Sequence, residues 1–193
     1  MVFTFAQSIR QDRWQGLVLG EGGAWSTWRP ETDDVTPVAG TKCSTTTLRL
    51  PGMEPQPMCI MGQDQYLSNV LRRQHRWYEC RDLVRLFHED QHPGGCGGVI
   101  VEVGANIGAC SLELVLSLPN TTLLLFEPNP VNFFHLTSSL KLAYQAGRLQ
   151  AGRVIAYPLG AGRCMCIDVH VYVYYVYAHI HEPCHMLAPT GTV

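Results

Sequence analysis

Charge is scarce in this chain, and what charge there is does not cluster. Asp, Glu, Lys and Arg make up 16% of the 193 residues and the formal net charge is -2. With Lys and Arg scattered, no basic stripe exists to hold a phosphate backbone, which argues against a nucleic-acid partner. Long apolar runs are missing too: nothing approaches the roughly 18 consecutive apolar residues of a membrane helix. The N-terminal MVFTFAQSIRQDRWQG is broken at Gln7, Arg10 and Asp12. No signal peptide or membrane span is visible, and the cytoplasm is the default compartment. A third absence is any Cys-x-x-Cys pair among the eight cysteines at 43, 59, 80, 96, 110, 164, 166 and 184. A chain of this length builds a core without staples, so most are read as free thiols, and Cys59 and Cys110 as small buried apolar residues. What the chain does have is apolar bulk, 46% of its residues, enough for one domain with one core.

Residues 1 to about 57 are rich in Gly, Pro, Thr, Ser and Trp without a sustained period and read as a loose N-terminal extension. From Asp64 to about Glu89 the pattern changes. Leu67, Val70, Leu71, Trp77, Tyr78, Leu83, Leu86 and Phe87 recur at three- and four-residue spacing, predicting one or two amphipathic helices. After HPGGCGG (92 to 98), the unbroken run Val99, Ile100, Val101 to Val103 predicts a central parallel strand covered on both faces. A helix follows through Leu112, Leu114, Val115 and Leu118 and stops at Pro119 and Asn120, and Thr122 to Phe126 is a second strand. A helix from Pro130 or Val131, closed by Gly147, leads to a third short strand at Arg153 to Tyr157. This alternation is that of an α/β fold with a parallel sheet.

In such a sheet, ligands bind beyond the carboxyl ends of the strands. Those ends are Glu102 to Gly108 and Glu127 to Asn129. Gly104 and Gly108 let the turn tighten and a ligand approach the backbone, while the start of the next helix offers N–H groups to an anion such as a methionine carboxylate. Glu127 ends the second strand 23 residues after Gly104, placed to accept both hydroxyl hydrogens of a ribose. A nicotinamide cofactor shares this topology, but its G-x-G-x-x-G pattern needs glycines where Asn106 and Ala109 stand. Glu102 before the turn also suits a cationic ammonium better than a diphosphate.

The segments VIVEVGANIGACSLELVLSL and TLLLFEPNPVNFFHLTSSLKL strongly resemble the FkbM-type methyltransferases. E-V-G-A-N-I-G and F-E-P-N-P match that family's cofactor motifs almost letter for letter, and DQYLSNVLRRQHRWYE (64 to 79) is similar to the segment that precedes the domain. The resemblance covers about residues 60 to 161. It implies a class I, Rossmann-like domain over 58–162, S-adenosyl-L-methionine as cofactor, and O-methylation of a sugar or small-molecule hydroxyl. Glu102, Gly104, Ala105, Asn106 and Gly108 would then line the methionine end, and Glu127, Pro128 and Asn129 the ribose end. No catalytic base is implied. His135 is read as a packed or solvated helix residue.

After VIAYPLGAG (154 to 162) the family would continue through a K-I-D-V-E-G-like motif and three more strands, whereas 31 residues remain. The chain is therefore read as a C-terminally truncated member, weak or inactive as an enzyme. The tail CMCIDVHVYVYYVYAHIH uses residues whose codons alternate purine and pyrimidine, as translated dinucleotide repeat would, and Asp168 in it is a coincidental match to the missing motif. Its Cys164, Cys166, His170, His179, His181, Cys184 and His185 lack finger-like spacing and are not read as a metal site. Truncation would leave the first strand with an open edge, and the V-H-V-Y-V-Y stretch could dock there. Two other readings stand beside the methyltransferase: a non-catalytic binding protein that keeps a partial cofactor pocket, and a nicotinamide-dependent oxidoreductase.

Overall fold

A computed structural model describes residues 27–64, 66–89, 98–158 and the backbone of 176–180. In chain order the elements are β1 (Cys43–Leu48), β2 (Gln56–Met61), α1 (Leu67–Gln74), α2 (Tyr78–Glu89), β3 (Val99–Val103), α3 (Ala109–Ser117), β4 (Thr122–Phe126), α4 (Pro130–Gln145), β5 (Val154–Tyr157) and β6 (Val176–Ile180). The fold is α/β. β3, β4 and β5 form a parallel sheet in the order β5-β4-β3, with β6 antiparallel on the far side of β3.

Local chemistry accounts for the boundaries. The Asp64 carboxylate accepts from the N–H groups of Tyr66 (2.9 Å) and Ser68 (2.6 Å), tying down the start of α1. Asn129 caps α4, its side-chain oxygen accepting from Val131 N–H at 2.9 Å, and Pro130 supplies the preset φ of a first helical residue. Beyond α4, Gly147 turns the chain at φ 69°.

The structure departs from the sequence reading in three places. First, the segment read as loose up to 57 forms an antiparallel hairpin, Cys43 opposite Met61 and Leu48 opposite Gln56. Thr45, Thr46 and Thr47 are β-branched and suit a pleated strand, and Leu48, Met58 and Ile60 enter the main core. Trp28 is also anchored, exchanging backbone hydrogen bonds with Ala156 at 2.8 and 2.9 Å. Second, β3 alternates. Ile100 is fully buried while Val99, Val101 and Val103 are half-buried. They belong to a small second cluster with Leu124, Phe126 and Tyr157, so among the described residues only one sheet face carries the large core. Third, the edge of β3 is paired by the tail, through Val176–Ile180 rather than the V-H-V-Y-V-Y stretch before it. The other tail residues, Asp168 among them, lie outside the described residues.

The helical segment resolves into α1 and α2. Leu71, Trp77 and Phe87 are buried, and Leu67, Val70 and Leu83 pack against the core as their spacing predicts. Tyr78 does not. It opens α2 and is 55% exposed, because neighbouring Trp77 takes the buried position.

The cysteines also differ from the free-thiol reading. Cys43 is bonded to Cys59 and Cys80 to Cys110, across Cα separations of 5.2 and 4.8 Å, within the range a disulfide spans. Cys59 and Cys110 are buried as expected, but as halves of disulfides.

Candidate functional site

The two predicted turns meet at the carboxyl ends of β3 and β4. The N–H groups of Gly104 and Ala105 both donate to the Phe126 carbonyl, at 2.8 and 3.1 Å, fastening the first turn to the end of β4. Gly104 has φ 79°, Asn106 φ 52° and Gly108 φ 84°. The left-handed region is open to glycine and tolerated by Asn, so GANIG is a turn whose residue types match its backbone.

The two glycines have different tasks. A Cβ on Gly104 would meet nothing within 4 Å, so the turn stands open there. A Cβ on Gly108 would lie 2.6 Å from Leu136 Cδ1 and 3.3 Å from Leu136 Cα, so α3 and α4 approach across a position that only hydrogen fits. Gly108→Ala is expected to cost about 2–4 kcal/mol, combining left-handed strain with overpacking. Gly104→Ala carries the strain alone, about 1–2 kcal/mol. Urea denaturation of both variants checks the order, and equal losses would contradict it.

Glu127 links the turns. It is 4% exposed; Oε2 accepts from Asn106 N–H at 2.8 Å, and Oε1 accepts from Asn129 N–H at 2.9 Å and Asn132 Nδ2 at 3.3 Å. A carboxylate has about four lone-pair sites, so acceptor capacity remains beyond these three bonds. Pro128 and Asn129 are exposed, and the Asn129 side chain is committed to capping α4.

Glu102, on β3, is 1% exposed. Ser111 Oγ donates to its Oε2 at 2.6 Å, while Oε1 is buried without a partner. Burial pushes its pKa up to about 7, against the Ser111 hydrogen bond and with a smaller push from the Glu127 charge. The group therefore binds a proton in the folded state at pH values where the unfolded chain has lost it. Its stabilising effect is complete below pH 4.5 and is lost as pH rises toward 7. Glu102→Gln is expected to stabilise the free protein by a few kcal/mol at pH 8 and to change little at pH 4. Thermal melts at the two pH values test this, and a variant no more stable at pH 8 would contradict it.

A cleft of about 210 Å3 opens beside Glu102, lined by Ala105, Asn106, Ala109 and Cys110 from the turn and α3, and by Leu67 and Trp77 from the helical segment. It is smaller than the roughly 300–1,000 Å3 of most small-molecule sites, and Leu67 and Trp77 form its cover. The cover is tied to α3 twice, by the Cys80–Cys110 disulfide and by Arg76, whose Nε lies 3.1 Å from both oxygens of the buried Glu113 carboxylate. Trp77 Nε1 donates to Glu79 at 3.1 Å, and Trp77 packs against Tyr66 and Tyr78 with ring centroids 5.6 and 4.8 Å away.

Of the predicted site residues, the structure brings Glu102, Ala105 and Asn106 to the cleft, opens Gly104 beside it, sets Gly108 behind it, and joins Glu127 to it through Asn106. Sequence reasoning missed Leu67, Trp77, Ala109 and Cys110. The signal for Trp77 was its place between two tyrosines, which the helical period assigned to the core. His135 is buried and packed against Cys59, away from the cleft-lining set.

Among the described residues no group of three or more His, Cys, Asp or Glu could hold a metal ion, and no helix is long and apolar enough to cross a membrane. Except for the backbone of His179, the tail cysteines and histidines lie outside the described residues. No known protein family, curated protein or solved structure matches this chain.

Proposed function

We propose that this chain is an S-adenosyl-L-methionine-binding domain of the Rossmann-like class I kind and belongs to an O-methyltransferase. The observation that carries the reading is the pairing of two buried carboxylates at the ends of adjacent parallel strands. Glu102 holds an unpartnered oxygen at a cleft, Glu127 is joined to the same turn, and Gly104 between them leaves space a side chain would fill. An ammonium group at the cleft would satisfy Glu102 Oε1, and ribose hydroxyls would take the spare acceptor sites of Glu127. When bound, the cofactor supplies an activated methyl group. The chain's task is then to hold the acceptor oxygen in line and keep water out. Beside the cover, Tyr66 and Tyr78, 66% and 55% exposed, offer rings and hydroxyls to an acceptor such as a sugar or small alcohol.

Glu102 makes the reading testable by pH. Binding a cation favours its ionised form, so complex formation below pH 7 must expel a proton. Affinity for S-adenosylhomocysteine is expected to rise about tenfold from pH 6 to pH 8, and Glu102→Gln to flatten the profile. Calorimetry in buffers of different ionisation enthalpy reads the proton directly. A flat wild-type profile would remove Glu102 from the site.

The nicotinamide alternative is disfavoured by Asn106 and Ala109, which stand where its pattern wants glycine. A binding protein without catalysis stays separate from an enzyme by one assay, methyl transfer to a panel of sugar and small alcohol acceptors. Two disulfides favour an oxidising compartment over the cytoplasmic default.

A further inference from the structure

The hairpin and α4 build a second cluster of reactive groups that the cofactor reading does not use. Cys43 and Cys59 lie diagonally on one face of the hairpin, since Cys43 faces Met61 and Cys59 faces Thr45. Cys43 is exposed and Cys59 is fully buried. His135, on α4, puts Nδ1 3.3 Å from Cys59 Sγ. Ser139, one turn along, accepts a hydrogen bond from Cys59 N–H at 3.0 Å and fixes β2 against this face of α4. One sulfur thus meets solvent, and the other meets a buried imidazole.

We propose that Cys43–Cys59 is an exchange-active disulfide, in which an external thiol bonds to Cys43 and His135 manages the proton of Cys59. In the forward step a thiolate attacks the accessible Cys43 sulfur. The new sulfur–sulfur bond forms as the Cys43–Cys59 bond breaks, and Cys59 leaves as a thiolate that accepts a hydrogen bond from His135 Nδ1–H. A proton from solvent, equivalent to the one the attacking thiol lost, then makes it a thiol. The sum is one thiol plus one disulfide giving one mixed disulfide plus one thiol, with no other oxidant or reductant. In the return step the neutral imidazole takes the Cys59 proton, the Cys59 thiolate attacks Cys43, and the external thiolate departs. Burial lowers the His135 pKa, which keeps the ring neutral at pH 7 and able to accept that proton.

The second disulfide is a built-in comparison. Cys80 and Cys110 are both buried, at 0% and 4% exposure, so a thiol has no direct approach to either sulfur.

The test is incubation of the full chain in a reduced and oxidised glutathione mixture, acid quench and peptide mass mapping. The expected result is one glutathione on Cys43, a free thiol at Cys59 and an intact Cys80–Cys110 bond. In His135→Gln, return of the adduct to the Cys43–Cys59 disulfide is expected to slow about tenfold or more, with an unchanged far-ultraviolet spectrum. Absence of an adduct on Cys43, equal reaction of the two disulfides, or an unchanged return rate in a folded His135→Gln protein overturns the proposal. Should that variant not fold, the wild-type comparison of the two disulfides decides, together with the thiolate absorbance of Cys59 in Cys43→Ser. A Cys59 thiol that titrates like a free cysteine would overturn the role of His135. The cluster is independent of the methyltransferase reading, and none of these outcomes bears on cofactor binding.

Discussion

Replacing Cys80 and Cys110 together by serine is expected to lower the unfolding free energy by about 3–4 kcal/mol and the melting temperature by about 10 °C. The bond spans 30 residues of sequence, and in the chain-entropy account a loop of that length restricts the unfolded chain by about this amount. The native state loses something as well. Cys80 stands three residues after Trp77, near the start of α2, and Cys110 is in the first turn of α3, so the bond fastens the cover to the turn that would hold the cofactor. Arg76 and Glu113 would then carry that junction alone, and a buried ion pair is a weak substitute because its attraction is offset by desolvation. A guanidinium melt of the double variant that overlays the wild type would show that the bond does not hold this part of the fold.

Glu127→Ala is expected to weaken S-adenosylhomocysteine binding about a hundredfold, while costing the free protein only about 1–2 kcal/mol. The two effects have different origins. In the free protein Glu127 accepts from Asn106 N–H, Asn129 N–H and Asn132 Nδ2 at the edge of the sheet, where water can replace part of the loss. In the complex it would also carry both ribose hydroxyls, and charge-assisted bonds of that kind contribute about 1.5–3 kcal/mol each. Glu127→Gln, which keeps one acceptor oxygen, should fall between the two proteins. Calorimetric titration of all three proteins checks the order, and equal affinities would detach Glu127 from any ligand role.

Much of the fold is legible in the sequence wherever side-chain pattern and backbone demand agree. The strand at Thr122–Phe126, the helix opened by Asn129 and Pro130, and the stop at Gly147 follow from β-branched and apolar runs, a capping side chain and a residue free to take positive φ. The acids at the strand ends follow from topology, because each must sit where its strand stops. The hairpin is hidden because Thr45 to Thr47 lie among Gly, Pro and Ser, and their burial depends on α4, some 80 residues away. Disulfide pairing is unreadable for a related reason: spacing alone does not determine which cysteines the fold brings together. The cover over the cleft was read only as a core stripe, since a helical period shows that Trp77 is buried without showing what lies beneath it. The alternation along β3 escapes as well. Five consecutive strand residues without a hydrogen-bonding break suggest two covered faces, yet Val101 and Val103 sit half-buried in the smaller cluster.

The central claim is that the ends of β3 and β4 form a site for S-adenosyl-L-methionine and not for a dinucleotide. The most direct measurement is calorimetric titration of S-adenosylhomocysteine into the oxidised 193-residue chain, with NADH titrated in parallel under the same conditions. The account predicts saturable binding of S-adenosylhomocysteine at one site per chain and no heat from NADH. A folded chain that binds neither, or that binds NADH as tightly, would contradict it.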